Sequence, residues 1–121
     1  MKIYVATPVN GRKEKTLIEK QEAARRRVQE LRREIRKHLP DADVKSVFSL
    51  IKVGYGCEQD KEAVILGKCV RLVMECDVIL MDDGWGDSHG CKVERYTAQE
   101  YGKDIWTLMD LEALKGNYKL L

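Results

Sequence analysis

The chain is 121 residues long, 44% of them hydrophobic and 35% charged, with a net charge of +2. That length and balance describe one domain, 1–121, with a core of its own, and they exclude a disordered chain. No apolar run approaches the ~18 residues of a membrane span, and so small a net charge gives no whole-chain field to attract a polyanion.

Lys2–Ala6 is a β-rich run ended by Thr7-Pro8 and Asn10-Gly11, which predicts a first strand and a loop. Its apolar part is too short for a signal peptide and no cleavage-site pattern follows. Residues 13–39 predict the longest helix, with Leu17, Ala24, Val28, Leu31, Ile35 and Leu39 at helical spacing, Gln21 on the same stripe and Pro40 ending it. Glu22/Arg26 and Glu30/Arg33 stand at supportive spacings on it. Residues 43–48 predict a second strand, and 49–57 a loop containing Gly54 and Gly56. A second helix is expected over 58–75, with Ile65, Cys69, Leu72 and Cys76 on one face, flanked by Leu66 and Val73. Residues 77–81 are nearly continuously apolar, as in a central strand covered on both faces. An acidic, glycine-rich loop spans 82–90. A third helix is expected over 88–101, closed by Gly102, then a fourth strand over 104–108 and a short helix over 110–115.

The order β-α-β-α-β-α-β implies a small α/β fold of the flavodoxin or Rossmann-like kind: a doubly wound parallel sheet, strand order 2-1-3-4, helices on both faces. The switch point then lies between strands one and three. The loops 7–12 and 82–90 are where a ligand should bind.

On the third helix Cys91, Glu94, Ala98 and Tyr101 are spaced to share one face. Three of them suit a face packed on a sheet. Glu94 does not, because a buried carboxylate costs several kcal/mol unless it is partnered or neutralised. The nearby helix N-terminus is expected to keep it ionised. Ser88 is a natural N-cap beside free N–H groups, and Gly90 allows close approach to the backbone. The other reading is a half-exposed Glu94, with Val93 and Tyr96 defining the buried stripe.

Tyr4-Val5-Ala6-Thr7-Pro8, then Cys76-Asp77-Val78-Ile79-Leu80, Gly84-Trp85 and Ser88-x-Gly90-x-x-x-Glu94, resemble the motifs of nucleoside 2-deoxyribosyltransferases and of the related deoxynucleoside 5′-monophosphate N-hydrolases. The resemblance covers most of the chain in element order. It implies that Glu94 attacks the anomeric carbon and forms a covalent deoxyribosyl ester, resolved by water or by a second base. It places Tyr4 beside the sugar, Thr7 and Pro8 in the opening motif, and Ser88 at a 5′-phosphate. Arg12 falls in the loop after strand one, shifted from the family's arginine. The family's acidic residue on the preceding helix is missing: residues 67–71 hold no carboxylate, and Asp60 is two or more turns too early. Asp82 and Asp83 are the nearest substitutes as proton donors; otherwise they cap their own loop. The resemblance implies no metal, no organic cofactor and a homo-oligomer in which a neighbour helps close each pocket.

Segment 13–39 carries ten lysines and arginines against five acidic residues. A nucleic-acid surface or a solvated helix face both fit, and the interleaved acids and missing aromatics favour the latter. Trp85 stacks on a nucleobase or plugs its loop. His89 stands beside the site as a candidate acid–base group, whereas His38 complements a helix C-terminus. Cys57, Cys69, Cys76 and Cys91 form no CxxC and read as reduced thiols of a cytoplasmic protein; Cys91, at a helix start, is a minor candidate for a lowered pKa. The expectation is an N-glycosyl transferase or hydrolase acting on a 2′-deoxynucleoside or its 5′-monophosphate, with no membrane or polymeric nucleic acid as partner. A non-catalytic nucleotide-binding module of the same fold is the alternative, and a basic-helix interaction protein the third.

Overall fold

The computed structural model describes residues 1–9, 12–55 and 59–120, with side chains from 62 to 114 in the last span. Asn10 and Gly11 of the first loop, Gly56 and Cys57, and residue 58 at the expected start of the second helix lie outside the described residues. The elements run β1 (Lys2–Ala6), α1 (Leu17–His38), β2 (Asp43–Lys45), α2 (Gln59–Glu75), β3 (Val78–Met81), α3 (His89–Glu100), β4 (Asp104–Trp106) and α4 (Leu108–Leu120). The four strands form one parallel sheet in the order β2-β1-β3-β4. The fold is the small doubly wound α/β arrangement that the element order implies.

Alternation along the strands sorts the core into two layers. Ile3, Val5, Val78 and Leu80 face α1 and α4, meeting Val28, Leu31, Ile35 and Leu111. Tyr4, Ala6, Ile79 and Met81 face α2 and α3, meeting Cys69, Val73, Cys91 and Ala98. The pairing Tyr4↔Ile79 and Ala6↔Met81 keeps that second set together.

Capping side chains move several boundaries from their expected places. Thr16 accepts a hydrogen bond from the Glu19 amide, so α1 starts at Leu17 and not at 13. Ser46 and Ser49 form a reciprocal capping box that winds Val47–Ser49 into a 3-10 turn, and β2 stops at Lys45 rather than at 48. Asp110 accepts from the Thr107 amide at 2.7 Å and from its hydroxyl, so Thr107 starts α4 instead of extending β4. Tyr101, expected on the inward face of α3, is 60% exposed because the helix ends there.

Gly102 follows with φ +68°. Its amide bonds Gln99 O, and the Lys103 amide reaches Ala98 O at 2.8 Å, which is a Schellman closure. Gly102→Ala is expected to cost about 1 kcal/mol through the left-handed φ, read as a lower urea midpoint with unchanged slope. Among the described residues no helix is long and apolar enough to cross a membrane.

Candidate functional site

At the C-terminal ends of β1 and β3 the chain leaves the sheet in opposite directions, and a cleft of about 300 Å³ opens on the α2/α3 side. Its floor is chemical. Glu94, in the second turn of α3, is only 6% exposed yet lies on the cleft wall. The Tyr4 hydroxyl, from the middle of β1, donates to Glu94 Oε2. Cys69 of α2 packs in the same buried layer as Tyr4 and borders the cleft.

Burial governs the electrostatics of this group. It pushes the Glu94 carboxyl up to about 7, against the pull of the Tyr4 hydrogen bond and, less, of the neighbouring Cys69 thiol. The expectation that the helix N-terminus holds Glu94 ionised is therefore corrected: desolvation prevails, and near neutrality the carboxyl is divided between its two forms. Burial, then the Glu94 charge, raises Tyr4 well above its usual range. Burial raises Cys69 to about 11 and Cys91 to about 12. The idea of a lowered Cys91 pKa is thus overturned, and both cysteines stay thiols at neutral pH.

The rim is mixed. Ser88 caps α3 by accepting from the Cys91 amide at 3.3 Å, and with His89 and Gly90 it forms one side of the mouth. A Cβ at Gly90 would meet nothing closer than Ser88 Oγ at 4.0 Å, so the backbone there is open to approach. Opposite stand Val47, Ile51 and Tyr55. That wall is tied to α1 by Gln21, whose Oε1 accepts from the Gly54 amide (2.6 Å) and whose Nε2 donates to Tyr55 O (3.0 Å). Glu62, Ile65, Leu66 and Cys69 bring one face of α2 to the cleft. Glu62 and Gln21 escaped the sequence reading as site residues. The signal for Glu62 was the i, i+3, i+7 stripe through Ile65 and Cys69, extended one turn back.

The other sequence candidates divide. Tyr4, Thr7, Ser88, Gly90 and Glu94 come together around the cleft. Asp82 does not line it: Arg27 clamps it bidentately, with Nη2–Oδ1 at 2.9 Å and Nε–Oδ2 at 3.1 Å. The Thr7 hydroxyl and the Asp83 amide also donate to Asp82. Both Asp82 oxygens are thus engaged by Arg27, Thr7 and the loop backbone, away from the cleft. Asp83 is exposed and borders a separate hollow of about 350 Å³ with Pro8 and Arg12. Trp85 is half-buried under the Arg95 guanidinium, 4.8 Å from its ring centroid, and packs into the α2/α3 layer without lining the cleft. Along α1, Glu22 pairs with Arg25 and Arg26, and Glu30 with Arg27 instead of Arg33.

Among the described residues no group of three or more His, Cys, Asp or Glu side chains is arranged to hold a metal ion. A family profile described as "Domain of unknown function (DUF4406)" matches residues 1–107. Neither the curated proteins nor the solved structures give a match to the chain.

Proposed function

Taking as premise that the chain belongs to the DUF4406 family, whose description names no activity, we propose that it cleaves or exchanges the N-glycosidic bond of a 2′-deoxynucleoside or its 5′-monophosphate. The observation that carries this reading is Glu94: a nearly buried carboxylate on a cleft wall, held by the Tyr4 hydroxyl and pushed up to about 7 by burial. Strongly displaced carboxylates cluster at functional sites. The motif resemblance to nucleoside 2-deoxyribosyltransferases supplies the substrate class.

In the proposed cycle an ionised Glu94 oxygen attacks the anomeric carbon. The N-glycosidic electron pair leaves with the base, which takes a proton. The resulting ester is cleaved by water, or by a second base, which returns a proton to the protein and frees Glu94. Two titratable groups on the cleft wall have no partner among the described residues, Glu62 and His89, and these are the proposed proton carriers. Asp82 is committed to Arg27 and Asp83 faces elsewhere. The reading calls on no metal or cofactor, and it takes a second copy of the chain as the cover of the open side.

The test is incubation with a panel of 2′-deoxynucleosides and their 5′-monophosphates, followed by chromatography for free base. Release by the wild type and not by Glu94→Gln is expected. Binding without release would favour the nucleotide-binding module, and release that survives in Glu94→Gln would remove Glu94 from the mechanism. Tyr4→Phe gives a finer check. It deletes a donor that favours the ionised carboxylate, so the acid limb of the base-release profile, expected near pH 7, should move upward by about one pH unit.

A further inference from the structure

The proposed cycle leaves the basic block of α1 without a task, and the structure sorts its cations. Glu22 meets Arg25 and Arg26, Asp82 and Glu30 meet Arg27, and Glu34 meets Lys37. Among the described residues no ion pair joins Arg32, Arg33 or Arg36 to a carboxylate. Helical spacing puts Arg25, Arg32 and Arg36 on the side of α1 next to β2, the edge strand of the sheet, and Arg36 Nε donates to Ala42 O just before it (3.3 Å). A hollow of about 260 Å³ lies there, walled by Arg25, Gln29 and Arg32 of α1 and by Val44, Ser46 and Ser49 of β2 and the turn after it. A second hollow shares Gln29 and Arg32 and adds Arg33, Arg36 and Lys37. Among the described residues no carboxylate lines either one.

The two serines decide what such a hollow takes. Ser46 is 3% exposed, and its hydroxyl oxygen accepts from the Phe48 amide (3.1 Å). Ser49 Oγ accepts from the Ser46 amide (3.0 Å). Both oxygens are thus engaged as acceptors by the backbone, and neither hydroxyl hydrogen meets an acceptor among the described residues. Two O–H donors beside a guanidinium that no carboxylate neutralises make a lining suited to an anion. We propose that this hollow is a site for the phosphate group of a small molecule, held by Arg32 and the Ser46 and Ser49 hydroxyls, with Arg33 and Arg36 next to the rest of the ligand. A phosphate has oxygens enough for the guanidinium and both hydroxyls at once, whereas a carboxylate has two. A polynucleotide strand fits less well, because Phe48, the one aromatic residue lining the hollow, is packed into the α1 layer and not free to stack. The site is independent of the Glu94 reading. The turn Val47–Ser49 stands between the two: Val47 lines the cleft and packs into the α2/α3 layer, while Phe48 packs toward α1.

The experiment follows the amide spectrum of ¹⁵N-labelled protein as inorganic phosphate replaces chloride at constant ionic strength. Saturable shifts at millimolar phosphate are expected for the Ser46, Phe48 and Ser49 amides. Arg32→Gln exchanges two good helix formers at an exposed position and should weaken binding about tenfold or more. Arg26→Gln removes an equal charge from the same helix but outside both hollows, and should change the affinity by less than about twofold. Equal weakening in the two variants, or a response that never saturates, would reduce the effect to diffuse attraction and overturn the proposal. Shifts confined to residues 88–91 would overturn it too, by placing the phosphate at the start of α3. Methyl phosphate tells the two sources apart: tighter binding than inorganic phosphate assigns an ester, weaker binding the free ion, and either keeps the site. A single-stranded oligonucleotide that binds through these arginines while inorganic phosphate fails to saturate would replace the site with a nucleic-acid surface. No arm of the test uses Glu94 or base release, so this proposal and the proposed function fall separately.

Discussion

Glu94→Gln is expected to yield a protein that is inactive and more stable, with the extra stability confined to neutral and alkaline pH. The sign follows from the direction of the perturbation. The Glu94 carboxyl is raised from 4.5 to about 7 in the folded chain, so folding favours its protonated form. The stability linked to it is fully present below about pH 4.5 and is lost as pH climbs through 7. The gap between the two values corresponds to about 3 kcal/mol at pH 8 and above. Glutamine keeps an oxygen for the Tyr4 hydroxyl and carries no charge to desolvate, so it escapes that loss. For a domain of this size the gain is ~10 °C in melting temperature at pH 8.5, falling to nothing near pH 4. Base release by the same variant should drop on the order of 10³-fold or more. Melts by circular dichroism at the two pH values decide the matter. A variant stabilised equally at both, or destabilised at pH 8.5, would show that burial does not penalise the ionised group.

Arg27→Met has the largest expected effect in the opposite direction. The Asp82 side chain is 4% exposed and its cation comes from α1, 55 residues away in sequence. Removing that cation leaves a buried carboxylate with the Thr7 hydroxyl and one amide. Breaking a buried pair from one side costs about 3–5 kcal/mol. The guanidinium here is 30% exposed, which lowers the expectation to about 2–3 kcal/mol. Arg27→Met with Asp82→Asn should recover most of the loss, because the uncompensated charge is gone. Urea unfolding of both singles and the double gives the coupling. A loss below about 0.5 kcal/mol in the single variant would reduce the pair to an ordinary surface contact. The pair also reaches the cleft, since Asp82 holds the hydroxyl of Thr7, one of the lining residues.

These two residues mark where the sequence was legible and where it was not. Glu94 could be read because a carboxylate stood on a face otherwise made of Cys91 and Ala98, and helical spacing alone exposes that conflict. The layers were equally open to reading: the alternation in Lys2–Ala6 and the apolar run at 78–81 require a buried parallel sheet. Arg27 was hidden because it sits in a run of three arginines on a helix whose neighbours are solvated. Nothing local separates the one that turns toward β3. The loop-capping alternative for Asp82 is present in the bond from the Asp83 amide, but its ion-pair partner could not be found without the packing of α1 on the sheet. The boundaries were lost to short-range chemistry that was in plain view. Thr16-x-x-Glu19, Ser46-x-x-Ser49 and Thr107-x-x-Asp110 are all capping spacings, and each overruled the propensity of the residues beside it.

β1 has a further bearing on how such a chain can change over time. Its alternate residues serve two masters: Ile3 and Val5 seal one layer while Tyr4, between them, grips the reactive carboxylate in the other. Inserting or deleting one residue near its start would turn Tyr4 toward α1 and bring an aliphatic chain against Glu94. Length variation is therefore barred from this strand by the chemistry and the packing together, and variants can accumulate indels only in the connections around it. The five residues of β1 act as a reading frame for the whole molecule.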